Sequence, residues 1–172
     1  SFIAEFDKEV FLKNARVRSE LKTIIFLGGS HGAKAINDLA LSVAFKLQKR
    51  GIKIIHQAGE NDYERVKKEY EDKGVEVELY AFTKELATII PHADLAVSRA
   101  GASTLWELTS NGLPAFYIPY PHAAGDHQFY NAKFIVDNNL GWCERESENL
   151  KSKLVAILNE NLQQKSEGLL EY

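Results

Sequence analysis

Short apolar runs alternate with amphipathic segments along most of the chain. The first run, residues 23–29 (TIIFLGG), is apolar, rich in β-branched residues and stopped by glycine, which is typical of a buried strand. Apolar residues then recur at helical spacing as far as about Arg50, and Gly51 is suited to end that helix. The other predicted strands are residues 52–57, 75–80, 94–98, 113–120 and 141–146. The other predicted helices are residues 60–74, 84–90, 101–112, 127–139 and 148–165.

This regular alternation predicts an α/β fold. Strands separated by helices favour a doubly wound, mostly parallel sheet of about six strands with helices on both faces. Four apolar residues between Phe2 and Phe11 also stand at helical spacing, so the start of the chain is predicted to be helical. We therefore expect an N-terminal helical segment, 1–21, followed by one domain, 22–172.

The composition is that of a globular domain and argues against several other classes. The 172 residues are 45% apolar and 26% charged, unlike a disordered chain, a collagen or a membrane bundle. A net charge of −3 gives no excess of basic residues that would indicate nucleic-acid binding. The single cysteine, Cys143, cannot form an internal disulfide and favours a reducing compartment. Charges interrupt the apolar residues of segment 1–21, which therefore does not resemble a signal peptide.

Small and polar residues follow three of the predicted strands. In an open parallel sheet, ligands bind in the crevice beyond the carboxyl ends of the strands, so these turns are the candidate site. The first turn has glycines that let a ligand approach the backbone, and it opens a helix whose free N–H groups suit a phosphate or diphosphate. It matches neither the dinucleotide-binding glycine pattern nor a P-loop, and a tight turn with close helix–strand packing explains it equally well. Its candidate residues are Gly28, Gly29, Ser30, His31 and Gly32.

The second turn also opens a helix with small residues. Helix N-terminal amides from Ala102 to Thr104 and the carboxylate of Glu107 are placed to meet the same ligand, because a carboxylate accepts hydrogen bonds from a ribose diol. A solvated helix glutamate and a capping threonine are the alternative. The candidate residues are Arg99, Gly101, Ala102, Ser103, Thr104, Leu105, Trp106 and Glu107.

The third turn, PYPHAAGDHQ and the following Asn131, concentrates polar groups after strand 113–118. A binding role is favoured here over a proline-stiffened loop with a capped helix. The candidate residues are His122, Asp126, His127, Gln128 and Asn131.

Two kinds of chemistry are not supported by these turns. The spacing of His122, Asp126 and His127 is not a strong zinc pattern, and no cysteine cluster accompanies it, so we expect no metal site. The nucleophile elbow of serine hydrolases is absent as well. His56 and His92, at strand boundaries, are expected to be structural.

Taken together and in order, GGSHGA, SRAGASTLWE and PYPHAAGDHQFYNA resemble the donor-binding half of the MurG family, the bacterial undecaprenyl-diphospho-muramoylpentapeptide N-acetylglucosaminyltransferases. The resemblance runs from about Lys22 to at least Asn131. It implies the Rossmann-like C-terminal half of a two-domain, inverting glycosyltransferase that transfers N-acetylglucosamine from UDP-N-acetylglucosamine to lipid I, giving lipid II for peptidoglycan. It also implies that the acceptor site and the catalytic base belong to an N-terminal half absent from this chain, and that no cofactor is used. The lack of methionine, even at position 1, agrees with an excised piece.

The resemblance also implies roles for individual residues. Ser30 corresponds to a residue beside the donor diphosphate, and Ala102, Ser103 and Thr104 to the turn around the diphosphate and sugar. Thr83, after Phe82, corresponds to the position whose main chain reads the uracil edge. Glu107 corresponds to the ribose-binding glutamate, and Gln128 to the glutamine that contacts the sugar hydroxyls.

The chain departs from the family pattern in one respect that bears on the phosphates. The family has a phosphate-binding arginine in a G-N-P-V-R-like stretch before this domain, and no such stretch is present. Arg16 and Arg18 lie nearby but do not match it.

The resemblance places the full-length protein in the cytoplasm, peripheral to the inner membrane, with roles in cell-wall biogenesis, cell shape and division. Two other interpretations stay open. One is a single-domain UDP-N-acetylglucosamine-binding subunit that needs a separate acceptor-binding partner, and the other is a non-catalytic nucleotide-sugar sensor.

Overall fold

The computed structural model describes residues 17, 18, 20–28 and 33–171, which form six strands and seven α-helices. The strands are β1 (Thr23–Leu27), β2 (Lys53–Gln57), β3 (Glu78–Tyr80), β4 (Leu95–Ser98), β5 (Ala115–Tyr117) and β6 (Trp142–Cys143). The helices are α1 (Lys34–Lys49), α2 (Tyr63–Lys73), α3 (Leu86–Ile89), α4 (Ala102–Ser110), α5 (His127–Asp137), α6 (Leu150–Leu158) and α7 (Gln163–Glu171). Short 3₁₀ turns at Ile90–His92 and Ala124–Asp126 precede β4 and α5.

The six strands form one sheet in the order β3-β2-β1-β4-β5-β6. All five neighbouring pairs are parallel. The predicted doubly wound α/β fold is therefore confirmed, and the sheet is parallel throughout the described residues.

Both faces of the sheet are covered, because successive side chains of a strand point to opposite faces. Ile24 and Phe26 of β1 lie in a core shared with α1, α2 and α6. Ile25 and Leu27 lie in a second core shared with α4, α5 and α7. This burial on two sides explains why the central strands are continuous apolar runs rather than alternating ones.

The predicted last helix, 148–165, is wrong as a single helix. The chain forms α6, leaves the helix after Leu158 and begins α7 at Gln163. Asparagines between the two helices explain the break, because their side chains compete for backbone groups. The Asn159 side chain donates to the Val155 carbonyl at 3.3 Å, and the Asn161 side chain accepts from the Gln163 N–H at 2.9 Å.

Three predicted strands are shorter in the structure than their predicted ranges, and the first of them, 75–80, contributes only β3. The run 113–120 contributes only β5, and the run 141–146 only β6, although flanking residues such as Ile118 are also buried. The predicted N-terminal helix falls largely outside the described residues. Of its range, the described residues 17, 18, 20 and 21 are not helical. No helix in the described part of the chain is long and apolar enough to cross a membrane.

Arg18 anchors the chain at the amino ends of β4 and β5. Its side chain is buried and donates to the carbonyls of Ala93 at 3.0 Å, Pro91 at 3.4 Å and Asn111. Its backbone N–H donates to Ser166 Oγ of α7 at 2.9 Å. The boundary predicted between residues 21 and 22 stays a prediction, but Arg18 packs as part of the domain.

Candidate functional site

The strand order places two of the predicted turns at the point where the sheet reverses direction. From the central pair β1 and β4, the chain builds outward to β2 and β3 on one side and to β5 and β6 on the other. Such a switch point opens a crevice at the carboxyl ends of the two central strands. The turns after β1 and after β4 begin at this crevice, and the turn after β5 lies beside them.

Close packing leaves no room for a side chain at Gly28, directly after β1. Its N–H donates to the Gln57 carbonyl at 2.8 Å. A Cβ at this position would lie 2.9 Å from the Ala33 Cβ, closer than Cβ atoms approach in proteins, and 3.1 Å from Asn37 Oδ1, which is a tight contact. The packing explanation of the first turn therefore accounts for Gly28. The other candidates in this turn, Gly29, Ser30, His31 and Gly32, lie outside the described residues, and their roles stay predictions.

The second turn presents the amino end of α4 to the crevice. Gly101 is the N-cap in extended conformation, with φ −62° and ψ 145°, and no side chain caps the helix. The first N–H to find a helical acceptor is that of Leu105, which donates to the Gly101 carbonyl at 2.9 Å. The amides of Ala102, Ser103 and Thr104 have no acceptor among the described residues. Free amides with the positive end of the helix dipole suit an anionic group.

Gln128 joins the second and third turns. Its Oε1 accepts from the Tyr120 N–H at 2.9 Å and from the Ala100 N–H at 3.3 Å. Asn131, one turn further along α5, donates to the Ala100 carbonyl at 3.1 Å. Because the amide oxygen of Gln128 is engaged twice, its Nε2 is the group left to contact a sugar hydroxyl, and that contact stays a prediction.

Arg99 is buried and bonds to the strand-end backbone. Its Nη1 donates to the carbonyls of Ile118 at 3.1 Å and Pro119 at 3.3 Å, and its Nη2 pairs with Glu146 at 3.1 Å. The guanidinium also lies 5.6 Å from the centre of the Tyr120 ring. These contacts show that Arg99 holds the turns after β4 and β5 together. A direct ligand contact by Arg99 stays a prediction.

Glu107 lies in the second turn of α4 with a half-buried side chain. No described residue forms a hydrogen bond or ion pair with its carboxyl group. Burial raises the pKa of this carboxyl above its usual range. Of the two apolar candidates that precede it, Leu105 packs against the second core and Trp106 is partly buried.

The third turn is shaped by its own contacts. Gly125 and Asp126 both have left-handed backbone, with φ 61° and 55°. Arg145 pairs with Asp126 at 2.7 Å, holding the pKa of that carboxyl below its usual range, and lies 4.0 Å from the centre of the Phe129 ring. The turn is therefore tied to the segment after β6.

The two histidines of the third turn take part in local contacts. His127 Nδ1 lies 2.5 Å from the Ala124 carbonyl, so Nδ1 carries the proton. His122 packs edge-on to Tyr120 at 5.5 Å between ring centres. Among the described residues, no group of three potential ligands could hold a metal ion.

Gln57, a residue that the sequence analysis missed, links the segment after β3 to the carboxyl end of β2. The Thr83 N–H donates to the side-chain oxygen of Gln57 at 3.1 Å, and Phe82 is 61% exposed. Gln57 is the last residue of β2, so the rule that pointed to the other strand ends also applied to it. A polar side chain at the carboxyl end of a buried strand is the sequence feature that could have identified Gln57 as a candidate site residue.

A second missed group lies beside Gly28, where a Cβ would be 3.1 Å from Asn37 Oδ1. Asn37 of α1 is buried and donates to the Ala58 carbonyl and to Asp62, both at 2.9 Å. Its Oδ1 lies 2.7 Å from His56 Nε2, and His56 Nδ1 lies 2.7 Å from the Tyr70 hydroxyl. His56 is thus structural, as predicted, and its burial lowers its pKa to about 3.

The fold and the crevice are of the type found in nucleotide-binding domains, since the free amides of α4 lie at the switch point of a parallel sheet. The chain belongs to a specific family of such domains: the model of the glycosyltransferase family 28 C-terminal domain matches residues 23–171.

Relatives with curated names agree with this family. A UDP-N-acetylglucosamine--N-acetylmuramyl-(pentapeptide) pyrophosphoryl-undecaprenol N-acetylglucosamine transferase from Sulfurimonas denitrificans is 66% identical over 165 residues, covering 96% of this chain and 48% of the relative. A protein of the same name from Campylobacter jejuni is 49% identical over 173 residues, covering 94% of this chain and 50% of the relative. The chain therefore spans about half the length of these relatives.

Solved structures agree as well. The crystal structure of Acinetobacter baumannii MurG matches with a TM-score of 0.77 and 27% identity, covering 100% of this chain and 50% of that one. The solution structure of ALG13 shares the fold, with a TM-score of 0.62 and 17% identity, covering 84% of this chain and 89% of that one.

Proposed function

We propose that the crevice at the carboxyl ends of β1 and β4 binds UDP-N-acetylglucosamine. The observation that carries the proposal is the amino end of α4 at the switch point of the sheet, where the first amides have no acceptor among the described residues. The relatives' names supply the donor sugar and nucleotide. Gln128 and Glu107 supply further hydrogen-bonding groups beside these amides.

We further propose that the whole protein transfers N-acetylglucosamine to lipid I, the pyrophosphoryl-undecaprenol acceptor in the relatives' names. An acceptor hydroxyl attacks the anomeric carbon, the bond from that carbon to the diphosphate oxygen breaks, and UDP leaves. The share of this domain is to stabilise the negative charge that develops on the diphosphate. Preorganised amides aimed at developing charge are an effective way to do this, and removing one such donor typically lowers a rate by about 10²–10³.

The catalytic base and the acceptor site would then belong to the portion of the relatives that this chain does not span. With no opposing half to close the crevice, water would weaken every electrostatic contact to the donor. The chain alone is therefore expected to bind UDP weakly and to transfer no sugar. A location at the cytoplasmic face of the inner membrane follows from the proposed acceptor and is part of the same proposal.

Calorimetric titration of the chain tests donor binding. UDP-N-acetylglucosamine and UDP are expected to bind, UDP-glucose more weakly than UDP-N-acetylglucosamine, and ADP not measurably. Equal affinity for UDP and ADP would contradict a uridine-specific site, and the absence of binding by any of them would remove the proposal.

A backbone substitution tests the α4 amides directly. Ala102 is the first residue of α4 and is exposed, and proline is tolerated at that position because the first N–H has no helical partner. The extended conformation of Gly101 is also compatible with a following proline. Ala102→Pro therefore deletes one N–H donor while keeping the helix.

The expected result is a loss of UDP affinity of about tenfold or more, since a hydrogen bond to a charged group contributes roughly 1.5–3 kcal/mol. The matched control is Ala102→Ser, which keeps the N–H and should bind UDP as the wild type does. Equal affinities of the two variants, both with wild-type melting temperatures, would show that this amide does not contact the nucleotide.

A further inference from the structure

The segment directly after β6, residues 144–146, bonds to several parts of the candidate site. The N–H of its first residue donates to the Tyr117 carbonyl of β5 at 3.0 Å. Its second residue, Arg145, pairs with Asp126 of the third turn. Its third residue pairs with Arg99 of the second turn at 3.1 Å. The sequence analysis assigned this segment to a strand and gave it no role in binding.

Arg145 contacts the residues on both sides of Gln128 in the chain. Its Nη1 and Nη2 donate to the two carboxylate oxygens of Asp126, at 3.2 and 2.7 Å. Its guanidinium lies 4.0 Å from the centre of the Phe129 ring. Exposed ion pairs of ordinary geometry contribute little, but a bidentate pair with a stacked guanidinium has a well-defined geometry. Arg145 is therefore suited to fix the position of the backbone that carries Gln128.

The backbone at Asp126 has a conformation that benefits from such support. Its φ of 55° lies in the left-handed region, as does the φ of 61° at Gly125. Glycine adopts this region freely, whereas aspartate does so at some cost, although less than most residues. Two successive left-handed residues turn the chain sharply before α5, and they determine where Gln128, the second residue of α5, is placed.

The side chain of Gln128 lies beside the amino end of α4. Its Oε1 accepts from the N–H groups of Tyr120 and Ala100. A Cβ at Gly101, the N-cap of α4, would lie 3.7 Å from Gln128 Nε2. This NH₂ group has no acceptor in the part of the chain that the structure describes. It is available to the sugar of the proposed donor, because that sugar is attached to the diphosphate that the α4 amides are proposed to bind.

We propose that Arg145 is a positioning residue for Gln128, which increases the affinity for the sugar part of the donor without contacting the donor itself. Asp126 then has the same positioning role, since Arg145 engages both oxygens of its carboxylate. The inference rests on the proposed UDP-N-acetylglucosamine site and adds to it the contact that orients a sugar-binding side chain.

The test compares the affinities of UDP-N-acetylglucosamine and UDP for wild type and Arg145→Met by calorimetric titration. The side chain of Arg145 is 53% exposed, so methionine leaves no buried charge unpaired. The ratio of the two affinities isolates the sugar, because both ligands contain uridine and a diphosphate. Loss of a positive charge alone should weaken UDP more, since UDP has the greater negative charge at neutral pH, and would raise the ratio. A lower ratio therefore reports the sugar contact.

Arg145→Met should lower the ratio of UDP-N-acetylglucosamine affinity to UDP affinity by about three- to tenfold, the contribution of one neutral hydrogen bond. Lys133→Met is the matched control, because it removes an exposed cation of α5 that pairs with Asp137 at 2.6 Å, outside the turn. The control should leave the ratio unchanged. A wild-type ratio in Arg145→Met would overturn the inference while leaving UDP binding intact. A wild type that binds neither ligand would overturn the proposed function and this inference together.

A second variant decides whether Asp126 acts through Gln128 or contacts the sugar directly. In Asp126→Asn the new side chain tolerates the left-handed backbone, but it removes the charge and one of the two acceptors for Arg145. This substitution should lower the affinity ratio in the wild type and have no further effect in Arg145→Met, because both substitutions break the same pair. Additive effects of the two substitutions would show that Asp126 contacts the sugar itself and would overturn the inference.

Discussion

Glu107→Gln is the substitution that separates a ribose-binding carboxylate from a solvated helix glutamate. The side chain is half-buried beside the α4 amides, and no described residue bonds to its carboxyl group. The two hydroxyls of a ribose would supply two donors to its two oxygens. Glutamine keeps the size and one acceptor oxygen but removes the charge and one of the two acceptors.

The magnitude follows from the difference between charged and neutral hydrogen bonds. Bonds to a charged group contribute roughly 1.5–3 kcal/mol and neutral ones roughly 0.5–1.5 kcal/mol. Loss of the charge and of one acceptor should therefore weaken UDP binding by about 10- to 100-fold, since ~1.4 kcal/mol corresponds to a factor of ten. Binding of 2′-deoxy-UDP should weaken much less, because that ligand has already lost one hydroxyl.

The assay is calorimetric titration of wild type and Glu107→Gln with UDP and 2′-deoxy-UDP, which closes a double-mutant cycle. Glu69→Gln, an exposed glutamate on α2, controls for the loss of one negative charge. The pH dependence gives an independent check. Burial raises the pKa of Glu107, so UDP affinity should fall as the pH is lowered through that pKa, and Glu107→Gln should lack this loss. A coupling energy indistinguishable from zero would remove Glu107 from the site.

Three further predictions concern stability and metal ions. The pKa of His56 is about 3 in the fold against 6.5 in the unfolded chain, so the unfolded chain binds the additional proton first as the pH is lowered. The free energy of unfolding should therefore fall from pH 6.5 toward pH 3, by at most about 1.4 kcal/mol per pH unit. In urea titrations, the free energy of unfolding of His56→Gln should depend less steeply on pH than that of the wild type. Arg18→Met should lower the free energy of unfolding by about 2–4 kcal/mol, because it leaves buried carbonyls without donors. The affinity for UDP should stay as in the wild type. A loss of UDP affinity in this variant would instead indicate that Arg18 contacts the donor phosphates. A chelator should leave UDP affinity unchanged, since the sequence has no D-x-D metal motif and helix amides can hold a diphosphate. A large loss of affinity on chelation would contradict this prediction.

The fold could be predicted from the sequence because its central strands are buried on both faces. A run such as TIIFL is apolar throughout, so it is easily recognised as a buried strand. Glycine or asparagine follows the end of most helices and marks their boundaries in the sequence. The last helix could not be predicted correctly, because residues 148–165 keep helical periodicity across the break. The Asn159 side chain bonds to backbone at the end of α6 and the Asn161 side chain to backbone at the start of α7, and periodicity does not report such bonds.

The candidate site was predictable in outline but not in its hydrogen bonds. The carboxyl-end rule located the turns after β1, β4 and β5. It did not show that the oxygen of Gln128 is engaged by two backbone amides, or that Arg99 bonds to strand-end carbonyls. Arg18 is the clearest example, because its sequence position near the glycine turn gives no sign that it packs at the opposite end of the sheet. Such contacts depend on which strands become neighbours, which local patterns do not determine.

The measurement that tests the central claim most directly is a titration of the ¹⁵N-labelled chain with UDP-N-acetylglucosamine, followed through assigned backbone amide resonances. The account predicts saturable changes concentrated at the crevice, at Gly28, Thr83 and the amides from Ala100 to Thr104. No change up to millimolar ligand would contradict the account. So would changes confined to the groove at the amino ends of β2 and β3, lined by Gln48 and Glu78, since that groove lies at the other end of the sheet.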